Sequence, residues 1–92
     1  MSMGRRLEDQ VAIVTGAASG IGLGIVERFA EERAKVALVD LNEDLGREAV
    51  SAFRSKGLVC EFFSADVAKE EDVIRLMDKV SGVFGGIDHL VN

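Results

Sequence analysis

The sequence of 92 residues contains no proline, no tryptophan and no tyrosine. Without tyrosine, no Ser-Tyr-Lys type of catalysis and no tyrosine acid/base can operate within these residues. The single cysteine, Cys60, excludes an internal disulfide framework. Together with the single histidine, His89, it leaves no structural zinc set. Positive charge is scarce. The 11 Lys and Arg residues face 16 Asp and Glu residues, for a net charge of −5. No basic stripe of the kind expected for nucleic-acid binding is present. The only basic doublet, Arg5-Arg6, is followed by Leu7-Glu8-Asp9-Gln10 instead of an apolar stretch, so it does not open a signal peptide. No apolar run approaches the roughly 18 residues of a membrane span. The expectation is a cytoplasmic chain with neither nucleic acid nor membrane as partner.

What is present is a globular composition, 48% hydrophobic and 29% charged. The length allows one domain, which buries only roughly 60–65% of its unfolded surface. Residues 1–6 read as a tail. Beyond it, short apolar runs alternate with amphipathic stretches, the signal for βαβ units. Val11-Ala12-Ile13-Val14 is a continuous apolar run, expected as a strand buried on both faces. After the small loop Thr15-Gly16-Ala17-Ala18-Ser19-Gly20, a helical stripe of Ile21, Ile25 and Phe29, with Val26 and Ala30, is expected to face inward. Glu27, Glu31, Glu32 and Arg33 take its outer face.

Val36 to Val39 is a second buried strand, ended by Asp40, and Asn42 is a good N-cap for the next helix. That helix carries Leu45, Ala49, Ala52 and Phe53 and stops at Gly57, a natural residue for a left-handed helix end. Leu58 to Phe63 is the third strand. Val73, Leu76, Met77, Val80, Val83 and Phe84 form the stripe of a third helix, ended by Gly85-Gly86, and Ile87 to Asn92 begins a fourth strand. Right-handed crossovers then predict the first half of a doubly wound, Rossmann-type α/β sheet over residues 7–92, in the order 3-2-1-4.

The loop Thr15-Gly16-x-x-x-Gly20-x-Gly22 lies between a buried strand and an amphipathic helix. Glycines at such a turn let backbone approach a ligand, and the helix N-terminus faces an anion such as a pyrophosphate. The alternative is a tight turn without a ligand. The spacing does not fit G-x-G-x-x-G. Gly20, Gly22 and Gly24 give G-x-G-x-G, which admits an S-adenosylmethionine-binding methyltransferase reading, although Ala18 stands where that site would want an acid. Leu23 after Gly22 rules out a Walker A phosphate loop. Asp40 lies 18 residues after Gly22, where a carboxylate can accept from an adenosine ribose and repel a 2′-phosphate. Neither Ser19 nor Leu41 offers a cation to such a phosphate, so NAD is expected over NADP. The bland alternative for Asp40 is a turn or capping role. Asp66-Val67, at the carboxyl edge of strand three, could accept from an adenine amino group and donate to its ring, or simply cap a helix. Cys60 reads as a small core residue and His89 as structural. The run Lys69-Glu70-Glu71-Asp72 reads as a solvated helix face.

Thr15-Gly16-Ala17-Ala18-Ser19-Gly20-Ile21-Gly22 resembles the TGxxxGIG cofactor motif of the short-chain dehydrogenase/reductase family. Asp40 resembles its NAD-selecting acid, Asp66-Val67 its adenine-contacting pair, and Ile87 to Asn92 the approach to its Asn-Asn-Ala-Gly motif. The resemblance runs from about Leu7 to Asn92. It implies that Gly16, Ser19, Gly20, Ile21 and Gly22 hold the pyrophosphate and adenosine ribose. Asp40 and Leu41 would flank the ribose hydroxyls, and Asp66 and Val67 would hold adenine. Asn92 would match the first asparagine of the strand-four motif, and Thr15 would tie strand one to that segment. The family's catalytic Asn, Ser, Tyr and Lys fall beyond Asn92. The implied function is the NAD-binding part of an oxidoreductase interconverting an alcohol and a ketone. The complete enzyme would be a homo-oligomer, and this chain alone would be inactive. The other reading is a free-standing, non-catalytic nucleotide-binding or interaction module.

Overall fold

The computed structural model describes residues 7–18 and 20–92; the expected tail at 1–6 and the loop residue Ser19 lie outside the described residues. The elements run β1 (Val11–Thr15), α1 (Gly20–Glu31), β2 (Lys35–Asp40), α2 (Glu43–Ser55), β3 (Cys60–Ser64), α3 (Glu70–Phe84) and β4 (His89–Val91). All neighbouring strands pair in parallel, in the order β3-β2-β1-β4. This is the expected strand order. The strands of the third and fourth units start later than the apolar runs suggested, at Cys60 and His89.

The continuous apolar runs of β1 and β2 exist because both sheet faces are covered. On one face Val14, Val36, Leu38 and Cys60 pack with Val26 and Ala30 of α1 and Val50 and Phe53 of α2. On the other, Val11, Ile13, Ala37 and Val39 pack with Leu76 and Val80 of α3. The first two helices thus share a face and the third crosses to the opposite one. The chain reverses direction across the sheet at β1, which makes the carboxyl end of β1 the topological switch point where such sheets hold ligands.

Helix ends follow from local chemistry. Asn42 caps α2 by accepting from the Leu45 N–H at 3.1 Å. Gly57, at φ +81°, ends it, with its N–H on the Arg54 carbonyl and Leu58 N–H on the Phe53 carbonyl. Helix α1 ends in the same motif, with Arg33 N–H on Ala30 and Ala34 N–H on Phe29, but the left-handed residue is Arg33, at φ +71°. Gly46 in α2 lies against β3 so closely that an added Cβ would stand 2.1 Å from the Phe62 ring.

Several side chains expected in the helical stripes do not face the core. Ile21, in the first turn of α1, is 85% exposed, and the helix buries Val26 and Ala30 further along. Leu45, Ala52 and Val83 are exposed too, at the margins of stripes centred on Val50, Phe53, Leu76 and Val80. Glu32, expected on the outer face, is half-buried.

Candidate functional site

Three strand ends converge on one cleft of about 160 Å³, lined by Gly16, Val39, Asp40, Leu41, Ala65, Asp66 and Val67. Five of these, Gly16, Asp40, Leu41, Asp66 and Val67, were expected site residues. Gly20, Ile21 and Gly22 open α1 beside it. Asn92 sits at the end of β4, where its Oδ1 accepts from Thr15 Oγ1 at 3.1 Å; the same hydroxyl reaches the Val91 carbonyl at 3.3 Å. Thr15 therefore ties β1 to β4, as its structural reading required.

The glycine loop is shaped by its backbone. Gly16 and Gly20 adopt φ of +64° and +55°, a region that disfavours any side chain. Gly22 acts differently. A Cβ there would lie 2.2 Å from the Gly16 carbonyl oxygen and 2.9 Å from Ala17 Cα. The absent side chain lets α1 approach the loop backbone, a contact compatible with the place at the pyrophosphate that the resemblance implies for Gly22. Gly24 has nothing within 4 Å of an added Cβ, so the third glycine of the G-x-G-x-G spacing has no comparable contact.

Asp40 holds this loop in place. Its Oδ2 accepts from Ala18 N–H and its Oδ1 from Asn42 N–H, each at 3.0 Å, while Ala17 N–H reaches the Val39 carbonyl. These donors, Asn42 foremost and then Ala18 and Leu41, hold the Asp40 carboxyl below its ordinary value of 3.8 against partial burial. The turn and capping reading of Asp40 thus describes a real contact. A carboxylate offers about four acceptor sites, so these contacts are compatible with the ligand reading.

Asp66 is not the N-cap of α3. That position is Lys69, which makes no side-chain cap bond. Asp66 Oδ1 instead accepts from Ala68 N–H at 3.0 Å, forming an Asx turn. Asp72 accepts from the Asp66 N–H at 3.0 Å and pairs with Arg75. The Asp66 N–H first, then Arg75, lower the Asp72 carboxyl from its usual range. Sequence reasoning missed this residue, because Asp72 belongs to an acidic run that read as a solvated face. It also missed Asp88, whose Oδ2 accepts from Val11 N–H at 2.8 Å and fixes the start of β1 against β4.

Cys60 is buried in the core, and burial raises its thiol above the ordinary value, which disfavours the nucleophilic thiolate. His89 bonds the Gln10 side chain and lies 5.7 Å from the Phe29 ring, a structural setting. Among the described residues no cluster of three or more His, Cys, Asp or Glu could hold a metal ion, and no helix is long and apolar enough to cross a membrane.

A parallel sheet in the order 3-2-1-4, with a glycine loop and an acid at its switch point, defines a Rossmann-like α/β fold. A family model described as short chain dehydrogenase matches residues 10–92, and the chain belongs to that family. It is 41% identical over 86 residues to an uncharacterized oxidoreductase of Thermotoga maritima, covering 94% of this chain and 34% of that protein. It is 43% identical over 88 residues to tropinone reductase-like 1 of Erythroxylum coca, covering 96% and 31%. The chain thus spans about a third of the length of these curated relatives. Among solved structures, a citronellol catabolism dehydrogenase from Pseudomonas aeruginosa superimposes with a TM-score of 0.92 at 29% identity, covering all of this chain and 38% of that one. A short chain dehydrogenase from Mycobacterium smegmatis gives 0.92 at 31% identity, covering 100% and 39%. This membership sets aside the methyltransferase reading.

Proposed function

We propose that this chain is the NAD-binding part of a short-chain oxidoreductase that interconverts an alcohol and a ketone. The observation that carries the reading is the single cleft lined by Gly16, Asp40, Leu41, Asp66 and Val67 from three strand ends. In this reading the loop of Gly16, Ser19, Gly20 and Ile21, held against Gly22, presents backbone N–H groups and the α1 N-terminus to the pyrophosphate. Asp40 accepts from the ribose hydroxyls beside Leu41. Asp66 accepts from the adenine amino group, and Val67 N–H donates to the ring. Asn92 stands at the start of the strand-four motif. NAD, when bound, supplies hydride transfer; the residues present here bind and orient it. The sequence has no tyrosine to move the proton, so the chain by itself is inactive. Substrate recognition, homo-oligomer formation and a cytoplasmic location belong to the same proposal for the whole protein.

Preference for NAD over NADP rests on charge. A 2′-phosphate near Asp40 meets a carboxylate held ionised, and a unit charge at 4 Å costs about 1–4 kcal/mol between water and a protein surface. Leu41, 65% exposed, provides no compensating cation. The test is calorimetric titration of NAD and NADP into the chain and its Asp40→Asn variant. Asp40→Ala would also release Ala18, whereas Asn keeps an acceptor and removes the charge. The expected result is tighter NAD binding in the parent and a narrowed ratio in the variant. An unchanged ratio refutes the ribose role.

A further inference from the structure

β3 forms one edge of the sheet. In a parallel ladder, each strand turns alternate residues toward its partner. Val36 N–H donates to the Val59 carbonyl at 3.0 Å, with Val36 opposite Cys60. Residues 59, 61 and 63 therefore face β2, and the backbone groups of Cys60, Phe62 and Ser64 point outward. One is covered. Arg54 Nε donates to the Cys60 carbonyl at 3.1 Å, and its guanidinium pairs with Glu61 at 2.8 Å. The outward groups of Phe62 and Ser64 have no hydrogen-bond partner among the described residues.

Two clefts flank this open stretch. One, of about 290 Å³, wraps the edge from Arg47 of α2 to Arg75 and Lys79 of α3. The other, of about 260 Å³, lies on the α2 side and reaches Arg54 and Glu61. Arg47 and Phe62 line both. Together the linings hold four cations, Arg47, Arg54, Arg75 and Lys79, and two carboxylates, Glu61 and Asp72. Arg54 pairs with Glu61, Arg75 with Asp72, and Arg47 with Glu43 beyond the linings at 3.3 Å, all exposed pairs that an incoming carboxylate can share. The linings themselves keep more cations than carboxylates on a chain whose net charge is −5.

We propose that the open part of this edge, from Phe62 to Ser64, binds an acidic peptide segment in extended conformation, added to the sheet as a further strand. Free backbone donors and acceptors on an edge are the template for such addition. The added strand's side chains alternate between the two sheet faces, so acids at every second position share one face and meet Arg47 on the α2 side or, in the other register, Arg75 and Lys79 on the α3 side. A second copy would set one net-positive edge against another, so charge selects an acidic partner over self-pairing. The Arg54 strap stops the added strand at Cys60.

The test titrates a fluorescein-labelled peptide of alternating Asp and Val into the chain, followed by anisotropy and by amide hydrogen exchange. Matched peptides of alternating Lys and Val, and of alternating Asp and Pro, serve as controls. The expected result is salt-sensitive binding of the Asp/Val peptide alone, with slowed exchange at the Phe62 and Ser64 amides. The exposed double change Arg47→Glu and Lys79→Glu, with its fold checked by circular dichroism, weakens binding roughly tenfold or more. The proposal is overturned if either control binds equally well, or if the charge-reversed variant binds unchanged. It is equally overturned if protection appears on β4 instead, or if the chain self-associates and protects the same amides without peptide.

Discussion

Two glycines two residues apart in α1 should respond to the same substitution with opposite signs. At Gly22 an alanine Cβ would stand 2.2 Å from the Gly16 carbonyl oxygen and 2.9 Å from both Gly16 C and Ala17 Cα. Carbon contacts normally settle at about 3.5–4.0 Å. All three neighbours are backbone, so no side-chain rotation relieves the overlap; the loop or the first turn of α1 must move. Such overpacking costs about 1–3 kcal/mol, against which the better helix propensity of alanine returns at most about 1 kcal/mol. Gly24 has nothing within 4 Å of the same added atom, so Gly24→Ala should stabilise by about 0.5–1 kcal/mol. Urea unfolding of both variants measures the difference, and NAD titration should show weakened binding only for Gly22→Ala. Equal responses at the two positions would refute the close-packing role of Gly22.

Arg33 occupies at the end of α1 the left-handed position that Gly57 fills after α2; Arg33→Gly should stabilise by about 0.5–1 kcal/mol in urea unfolding. Thr15→Val removes the hydroxyl that bonds Val91 and Asn92, so it should cost about 1 kcal/mol and speed amide exchange in β4 without affecting β3. Leu38, fully buried in the sheet centre, should cost about 2–5 kcal/mol as alanine, read as a lower urea midpoint. The Asp40 carboxyl is held low in the folded chain, so its grip on the loop is complete above the unfolded value near 3.8 and is lost as pH falls through the lower folded value. The Ala18 amide shift should therefore titrate with a midpoint below 3.8; a midpoint at or above it would contradict the two-donor clamp.

The fold was readable because its signals are local. Val11 to Val14 and Val36 to Val39 are unbroken apolar runs, and the loop glycines, Asn42, Gly57 and Gly85 mark element ends by their own backbone chemistry. Stripe margins were read less well. Ile21 and Val83 obey the helical period yet are exposed, because periodicity says which side chains share a face but not how far the covered sheet extends. The cleft residues could be named since each stands at a strand end. What each does there depends on contacts distant in sequence. The Asp40 clamp on Ala18 spans 22 positions and the Asp88 bond to Val11 spans 77, and neither has a pattern in the chain. Asp72 supports Asp66 from the following helix for the same reason. The basic edge of β3 is assembled from Arg47, Arg75 and Lys79 on two helices, so no run of basic residues announces it.

The central claim is that the strand-end cleft holds the adenosine diphosphate side of NAD. Amide chemical-shift mapping of the isotopically labelled chain during NAD titration tests it most directly. The account predicts that the largest saturable shifts fall on Gly16, Leu41, Asp66 and Val67, and that NADP produces the same pattern only at higher concentration. Shifts confined to the β3 edge, or no saturable shifts at the strand ends, would contradict it.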